Sequence, residues 1–463
     1  MSIVIRRTTT SCGLLVVPLA LGLLASACGG DDGDDSPLTG AGTESGDGDG
    51  DPTTTGDGDG EPTATGDGDG DPTGDGDGDG DSACAWAWEA VQMKVNGQTH
   101  AAYDVAVADD GNFVAVGKVE NADDDAWIGM FDPAGELLWE QVVDGGNGPD
   151  AALGVTFDQN GDVVLVGRQT GAQHQDLWIQ KRSATGAEVW TVVLASEFDG
   201  DNEPGGIALA PDGDLVVTGA VRVGDKDLDV WTRKLASSDG AEVWTRTYSG
   251  TTDANGFSID RGIAVDVGSD GSVFVGGSEG VAFDTRDAVV LKYDASGTEQ
   301  WAINPKADNT AHLHLVTAVA AGPDGEAYAA VARTGNTATF WLNQLSSSGT
   351  VGWEMVSEDF VFSAAVDDFI VAGLELADDG SLTVGGRLSA EEIGQGISWS
   401  EAWIANVGLD GVGQCIASHT WANTHIIPAR TFAYGLAEGP NGAVVVGEVL
   451  DGPENYLWVG GFK

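Results

Sequence analysis

The strongest constraint in this sequence is a turn that returns seven times. Asp110-Gly111, Asn160-Gly161, Asp212-Gly213, Asp270-Gly271, Asp324-Gly325, Asp379-Gly380 and Asn441-Gly442 follow one another at spacings of 50, 52, 58, 54, 55 and 62 residues. Each sits between two short β-rich runs, such as Val105-Ala106-Val107 and Phe113-Val114-Ala115-Val116. Asp-Gly and Asn-Gly between such runs are the strongest short hairpin signal, because both central residues tolerate positive φ. The second run ends in Gly117, Gly167, Gly219, Gly277, Gly386 and Gly447, with Val331 in the fifth repeat. A third run carries Trp127, Trp178, Trp231, Trp341, Trp403 and Trp458 at one place, with Val289 in the fourth repeat. After a Gly-containing turn, a fourth run places Trp139, Trp190, Trp244, Trp301 and Trp353 four residues past the turn Gly; the sixth repeat has Cys415 there.

Four short strands per ~50 residues, marked by periodic Gly and aromatic positions, describe a β-propeller blade. The expected fold is therefore all-β, a seven-bladed β-propeller with four antiparallel strands per blade. The seventh repeat ends after its third strand, whereas Trp88-Glu89-Ala90-Val91 matches Trp139-Glu140-Gln141-Val142. The N-terminal strand is thus expected to complete the last blade, closing the ring and removing the exposed sheet edge. Residues 84–463 then form one domain.

The unit from Gly154-Val155 through Asp158-Gln159-Asn160-Gly161-Asp162 and Val166-Gly167 to Asp176-Leu177-Trp178-Ile179, Gly186 and Trp190 resembles the seven-bladed propeller repeat of bacterial secreted proteins. That resemblance covers essentially the whole folded part. It implies an extracytoplasmic binding or scaffolding module with no common reaction. The Thr185-Gly186 to Trp190 spacing is also similar to the tryptophan-docking motif of quinoprotein propellers, which have eight blades.

The N-terminus reads as an address. Arg6 and Arg7 precede an apolar run from Gly13 to Leu24, a secretory signal at ~15 apolar residues and too short for the ~20 of a spanning helix. Leu24-Ala25-Ser26-Ala27-Cys28-Gly29 resembles the lipobox of bacterial lipoproteins, although Ala25 stands three before the Cys. It implies removal of residues 1–27 and lipidation of Cys28. The Arg pair only weakly matches twin-arginine export.

Residues 28–83 then read as a lipidated, disordered tether. From Gly29 to Ser82 there are 18 acidic residues and no Lys, Arg or aromatic, so no core can form. Asp51-Pro52-Thr53, Glu61-Pro62-Thr63 and Asp71-Pro72-Thr73 repeat every ten residues between Gly-Asp pairs. As a flexible coil the tether averages ~40 Å, enough to lift a domain off a membrane. Its Thr residues are candidates for O-linked sugar. Asp75 to Gly80 opens like an EF-hand loop, but the twelfth position is Trp86 instead of Glu. Weak Ca²⁺ binding by the tether is the most this supports, and no dedicated metal site or cofactor is expected.

The whole chain carries a formal charge of −54, with 74 acidic and 20 basic residues. Removing leader and tether leaves 56 acidic and 18 basic residues, a charge of −38. That excludes phosphate-backbone recognition, hence nucleic acid, and docking on anionic lipid through a basic patch. The membrane is reached through the lipid anchor only, and a monomer is expected.

Of four cysteines, Cys12 leaves with the leader and Cys28 takes lipid. Cys84 and Cys415 remain, in an oxidising compartment where a pair tends to bond. A Cys84–Cys415 disulfide is expected to pin the closing strand, worth ~5 kcal/mol at most in a chain-entropy model. Twelve of the fifteen Trp occupy the two repeat positions, as expected for packing between neighbouring blades. Asp125, Asp176, Asp229 and Asp287, with Glu401 in the sixth repeat, stand just before the third strand. They are expected to accept backbone N–H bonds at a strand-opening turn.

No HExxH, CxxC, GxSxG or phosphate-binding Gly loop stands on a suitable element. The second-to-third and fourth-to-first connections are long and variable, among them Leu388 to Ser400 and Trp421 to Thr431, and they share one face of the ring. Function tends to sit on such loops. The candidate ligand-face residues are His312, His314, Glu391, Glu392, Trp399 and His425. His312 and His314, two apart, would share one strand face. The leading expectation is an outer-membrane lipoprotein facing the cell exterior and binding a protein or glycan partner. The alternative is an envelope propeller enzyme, either a quinoprotein-like oxidoreductase or a polysaccharide hydrolase or lyase.

Overall fold

The computed structural model describes residues 4–6, 86–92, 99–121, 123–146, 148–195, 198, 200–224, 227–250, 258–282, 285–305, 313–334, 339–357, 368–377, 379–392, 397–419, 430–451 and 454–462. None of residues 21–82 lies within the described residues. The tether and Cys28 therefore fall outside, as do Cys84, His312 and His425.

The described chain is all-β and propeller-like. Successive antiparallel meanders are β3 (Thr99–Val107) to β4 (Phe113–Glu120), β5 (Asp125–Phe131) and β6 (Leu137–Val143), then β7 (Ala151–Phe157) to β8 (Val163–Thr170), β9 (Gln175–Arg182) and β10 (Glu188–Leu194). The third runs through β11 (Glu203–Leu209), β12 (Leu215–Gly224), β13 (Asp227–Leu235) and β14 (Glu242–Tyr248), with the short β15 (Ser258–Ile259) parallel to β13. Then come β16 (Arg261–Val267), β17 (Val273–Ala282), β18 (Thr285–Tyr293) and β19 (Glu299–Ile303), followed by β20 (Leu313–Ala321), β21 (Ala327–Thr334), β22 (Thr339–Leu345) and β23 (Val351–Val356). These last two meanders merge into one eight-stranded sheet through a single parallel pair, Arg286 with Leu313. β24 (Asp368–Leu376), β25 (Ser381–Glu392), β26 (Ile397–Gly408) and β27 (Gly413–His419) form the next sheet. The last holds β28 (Arg430–Ala437), β29 (Val444–Asp451) and β30 (Glu454–Phe462).

The strand β2 (Trp86–Gln92) pairs antiparallel with β30, Trp88 opposite Gly461 and Gln92 opposite Leu457. N-terminal and C-terminal strands thus share one sheet, as the match between Trp88-Glu89-Ala90-Val91 and the first repeat requires. A three-residue strand β1 (Val4–Arg6), within the expected leader, runs along the outer edge of β2.

The first strand of each meander packs against the next: β3 on β7, β7 on β11, β11 on β16, β16 on β20, β20 on β24 and β24 on β28, with β28 returning to β3. Fourth strands lie outermost and are half exposed, as in β6 and β10. In the recurrent turns Gly111, Gly161, Gly213, Gly271, Gly325, Gly380 and Gly442 take positive φ, but the Asp or Asn before each does not, so these are longer loops such as Ala108–Asn112 and not the expected two-residue turns.

Both Trp positions pack between neighbouring repeats. Trp127 is buried among Ala437, Val444 and Val459 of the last sheet, and Trp403 stacks on Phe340 of the preceding one at 5.4 Å. At ~150–250 Å² each, burying such a side chain contributes up to ~4–6 kcal/mol. The fourth-strand indoles donate across to the next repeat. Trp139 Nε1 bonds Ala184 O at 3.0 Å, Trp190 bonds Ser237 O at 3.1 Å, Trp301 bonds Ser347 O at 3.1 Å and Trp353 bonds Leu409 O at 2.8 Å. The turn glycines Gly186, Gly240, Gly349 and Gly411 have positive φ and lie against those rings. The Trp of one repeat and the turn Gly of the next are therefore one contact, which explains why they recur together.

One expectation needs correction. The connection from Leu388 to Ser400 is not a long loop. β25 and β26 continue pairing through Ser389 with Ser400, Ala390 with Trp399 and Glu391 with Ser398, to Glu392 with Ile397. β-Prone Ile397, Trp399 and alternating Ser residues extend the ladder. Glu391, Glu392 and Trp399 thus sit at the tip of a strand pair. The residue before the inner strand is an acceptor of backbone N–H groups. Asp150 accepts Thr170 N at 2.8 Å and Gly145 N at 2.5 Å, and Asp260 accepts Gly250 N at 2.6 Å and Gly280 N at 3.0 Å. Asn202 takes the same place and accepts Arg222 N at 3.1 Å. Each side chain ties two connections to one strand start.

Candidate functional site: the central channel

Every inner strand carries a β-bulge at the same level. The register shifts between Ala102 and Asp104, Ala152 and Gly154, Pro204 and Ile207, Gly262 and Ala264, Val316 and Ala318, Val371 and Gly373, and Ala433 and Gly435. A bulge bends its strand and re-aims a side chain. Here the extra residues Tyr103, Leu153, Ile263, Thr317, Ala372 and Tyr434 face one cavity of about 200 Å³ on the axis of the ring.

The bulge also accounts for the Gly that ends each second strand. A Cβ on Gly117 would lie 1.9 Å from Ala101 O, on Gly277 1.8 Å from Arg261 O, and on Gly447 1.7 Å from Phe432 O. The bulged backbone is pressed against the neighbouring strand, so only a residue without a side chain fits. Nothing in the structure explains why the fifth repeat accepts Val331.

Two channel rings meet edge to face, Tyr103 and Tyr434, with centroids 5.4 Å apart. Tyr434 donates its hydroxyl to Glu448 Oε1 at 2.5 Å. Burial pushes both phenols well above their ordinary range, and Glu448 adds to the shift. Burial likewise raises the Glu448 carboxyl.

Further along the channel stand carboxyls. Asp104 and Glu375 line the cavity, and Asp266 follows the lining residue Val265 on β16. Asp104 accepts Val155 N at 2.8 Å, and Asp266 accepts Ala321 N and Val267 N, both at 2.7 Å. Desolvation nevertheless wins over these bonds. It lifts Asp104 to about 7 and Asp266 to about 6. Glu375 is held well above the usual carboxylate range by burial, then by repulsion from Asp266, Asp104 and Glu438. A water-sized channel lined by carboxyls poised near neutrality can bind cations or exchange protons.

The residues singled out from sequence fare differently. His314 is fully buried, edge to face on Trp341 at 5.6 Å. His100 stands in the same place in the first repeat, 5.3 Å from Trp127. In these two repeats the position packs on the third-strand Trp, whereas in the second to fourth it holds Asp150, Asn202 and Asp260. Cys415, on β27, is disulfide-bonded, and the expected partner Cys84 lies outside the described residues. Asp125, Asp144 and Asp150 bring ligand-capable oxygens within 4.8 Å of one another between the first two repeats. The channel residues escaped the sequence reading. Asp266 and Glu375 do occupy equivalent places, one residue before the last of their inner strands.

No protein family matches the sequence, and no curated protein resembles it. The fold is similar to virginiamycin B lyase from Staphylococcus aureus at 13% identity and TM-score 0.44, over 81% of this chain and 99% of that one. It is similar to Sqt1 from Chaetomium thermophilum at 14% identity and TM-score 0.42, over 79% and 95%. It is also similar to a quinohemoprotein alcohol dehydrogenase from Pseudomonas putida at 11% identity and TM-score 0.40, over 75% and 66%.

Proposed function

We propose that this chain is a lipid-anchored, extracytoplasmic binding or scaffold module. Its seven-bladed propeller presents the long-connection end of the ring to a protein or glycan partner. The single observation that carries the reading is the axial cavity, walled by the bulge residues and polar enough to recognise a ligand. The unbroken cycle of inner-strand contacts from β3 to β28 and back supports seven blades. The pairing of β2 with β30 supports closure by the N-terminal strand. Lipid on Cys28 and the acidic tether would hold the ring away from the outer membrane, facing the exterior.

Two measurements test this reading. On intact cells a membrane-impermeant reagent should label the propeller as it labels an exposed protein and not as a periplasmic control; protection would refute outward display. The purified protein should carry no visible absorbance, and a copurifying chromophore would move the reading to a quinoprotein-like enzyme. The raised Asp104 and Glu375 carboxyls are the observation favouring an enzyme of polysaccharides, since poised acids suit general acid–base work. Release of sugar ends from envelope polysaccharides, abolished in Glu375→Gln, would establish that alternative.

Cys415 is proposed to bond Cys84 and so to fasten the closing strand. The mature lipoprotein, with the leader removed and Cys28 lipidated, should show no free thiol when unfolded without reductant, and two thiols would refute the pairing.

A further inference from the structure

Among the described residues, basic side chains gather where an acidic chain can least dispense with them. Arg261 is the first residue of β16 and lies two residues before Ile263, which lines the channel. Its counterparts in other inner strands are Ala101, Ala151 and Ile370, which pack with the channel tyrosines. Arg261 therefore stands at the channel mouth, on the long-connection side. Its Nε bonds Glu203 Oε2, and its Nη2 bonds Glu203 Oε1 at 2.8 Å.

A second guanidinium, Arg286 of β18, feels the charges of both Arg261 and Glu203 without pairing with that carboxylate. Arg286 and Arg261 are each only 8% exposed. Arg261 Nη1 and Arg286 Nε are buried with no hydrogen-bond partner. Burial, then the like charge of Arg261, presses Arg286 down to about 10, with only Glu203 opposing. Two buried cations against one anion leave a positive charge uncompensated, which is costly in an interior. Arg168 and Arg387 act on the same region, each offsetting the upward shift of a channel tyrosine, Tyr103 and Tyr434 respectively.

We infer that Arg261 and Arg286 form an oxyanion site at the channel mouth, taking a carboxylate, sulfate or phosphate group of the ligand. The fork of each guanidinium matches such oxygens, and the two unused N–H groups supply the donors. The inference rests on the reading of this end as the ligand face, and it names the chemistry recognised there. An acidic glycan or an exposed protein carboxylate would present the group.

The test uses the full-length chain and three probes, sodium sulfate, sodium phosphate and sodium glucuronate, titrated calorimetrically against chloride at equal ionic strength. At least one probe should bind saturably at one site per chain. Arg286→Met should weaken that binding ~10-fold or more, the loss of a charge-assisted hydrogen bond. In chloride alone Arg286→Met should melt above the wild type, because it removes an uncompensated buried charge. Arg286→Lys keeps the charge and loses the fork, so it should weaken binding while staying folded. The inference is overturned if no probe binds wild type, if Arg286→Met binds equally well, or if Arg286→Met melts lower in chloride. None of these outcomes bears on cell-surface accessibility, so failure here is distinguishable from failure of the display reading.

Discussion

Gly447→Ala should destabilise the ring by about 3–5 kcal/mol or prevent folding, a loss reserved for backbone-level conflict. The added Cβ would meet Phe432 O at 1.7 Å, Phe432 C at 2.6 Å and Ala433 Cα at 2.7 Å. These are backbone atoms of β28, the strand that packs on β3 and completes the inner cycle. They can retreat only by undoing the bulge between Ala433 and Gly435. Undoing it would turn Tyr434 out of the channel and break its bond to Glu448. Two other glycines calibrate the effect. Gly224→Ala has open space and ordinary backbone geometry, so it should change stability by no more than about 0.5 kcal/mol. Gly161→Ala also has space but sits at φ +77°, so it should cost about 1 kcal/mol. Urea midpoints of the three variants check the ranking. A Gly447→Ala midpoint level with that of Gly161→Ala would show that close approach is not what the repeat glycine serves.

The repeat was legible because its marks are local. An Asp-Gly turn, a terminal Gly and a Trp four residues past a turn each declare themselves within a few positions. What those marks accomplish is not local. Gly447 reads in sequence as a strand end, yet it is required by a bulge on the adjacent strand. Trp190 reads as core, yet its indole closes on the turn of the following repeat at Ser237. The channel was missed for a related reason. Asp104, Asp266 and Glu375 sit among apolar residues like any inner-strand position, and they become a site only when distant strands meet on one axis. His314 drew attention as a possible ligand, but its counterpart His100 packs on Trp127 in the same way. Glu391 and Glu392 looked like loop residues because no turn signal of the usual kind marks the end of β25.

Stability should be greatest near pH 4 and fall toward pH 8, against the usual behaviour of a protein rich in ion-paired carboxylates. Asp104 is raised from 3.8 to about 7 and Asp266 from 3.8 to about 6 in the folded state. A carboxyl whose folded pKa is raised holds its proton more tightly folded than unfolded. Its stabilisation is complete below the unfolded value and is lost as pH rises through the folded one. The window of loss therefore runs from about pH 4 to pH 7. At ~1.4 kcal/mol per unit, the two groups together account for a fall on the order of 7 kcal/mol. Glu375, displaced in the same direction, deepens it. The acid limit is set by Asp158, which Lys181 Nζ approaches at 2.6 Å and which lies at about 2. Its folded value is depressed, so its contribution is present above 3.8 and is lost as pH falls toward 2. General repulsion in a chain of charge −54 has the same sign as the channel effect, so 0.5 M salt and site variants separate the two. Glu375→Gln and Asp104→Asn fix the neutral form. Each should raise the urea midpoint at pH 8, leave it nearly unchanged at pH 4 and flatten the slope between. Asp109→Asn, which removes an exposed charge, should leave the slope alone. A wild type equally stable at pH 4 and pH 8, or a Glu375→Gln variant weaker at pH 8, would mean that the channel carboxyls are ionised at neutral pH. The axis of the ring would then carry a standing negative charge and present it to any ligand entering from the mouth.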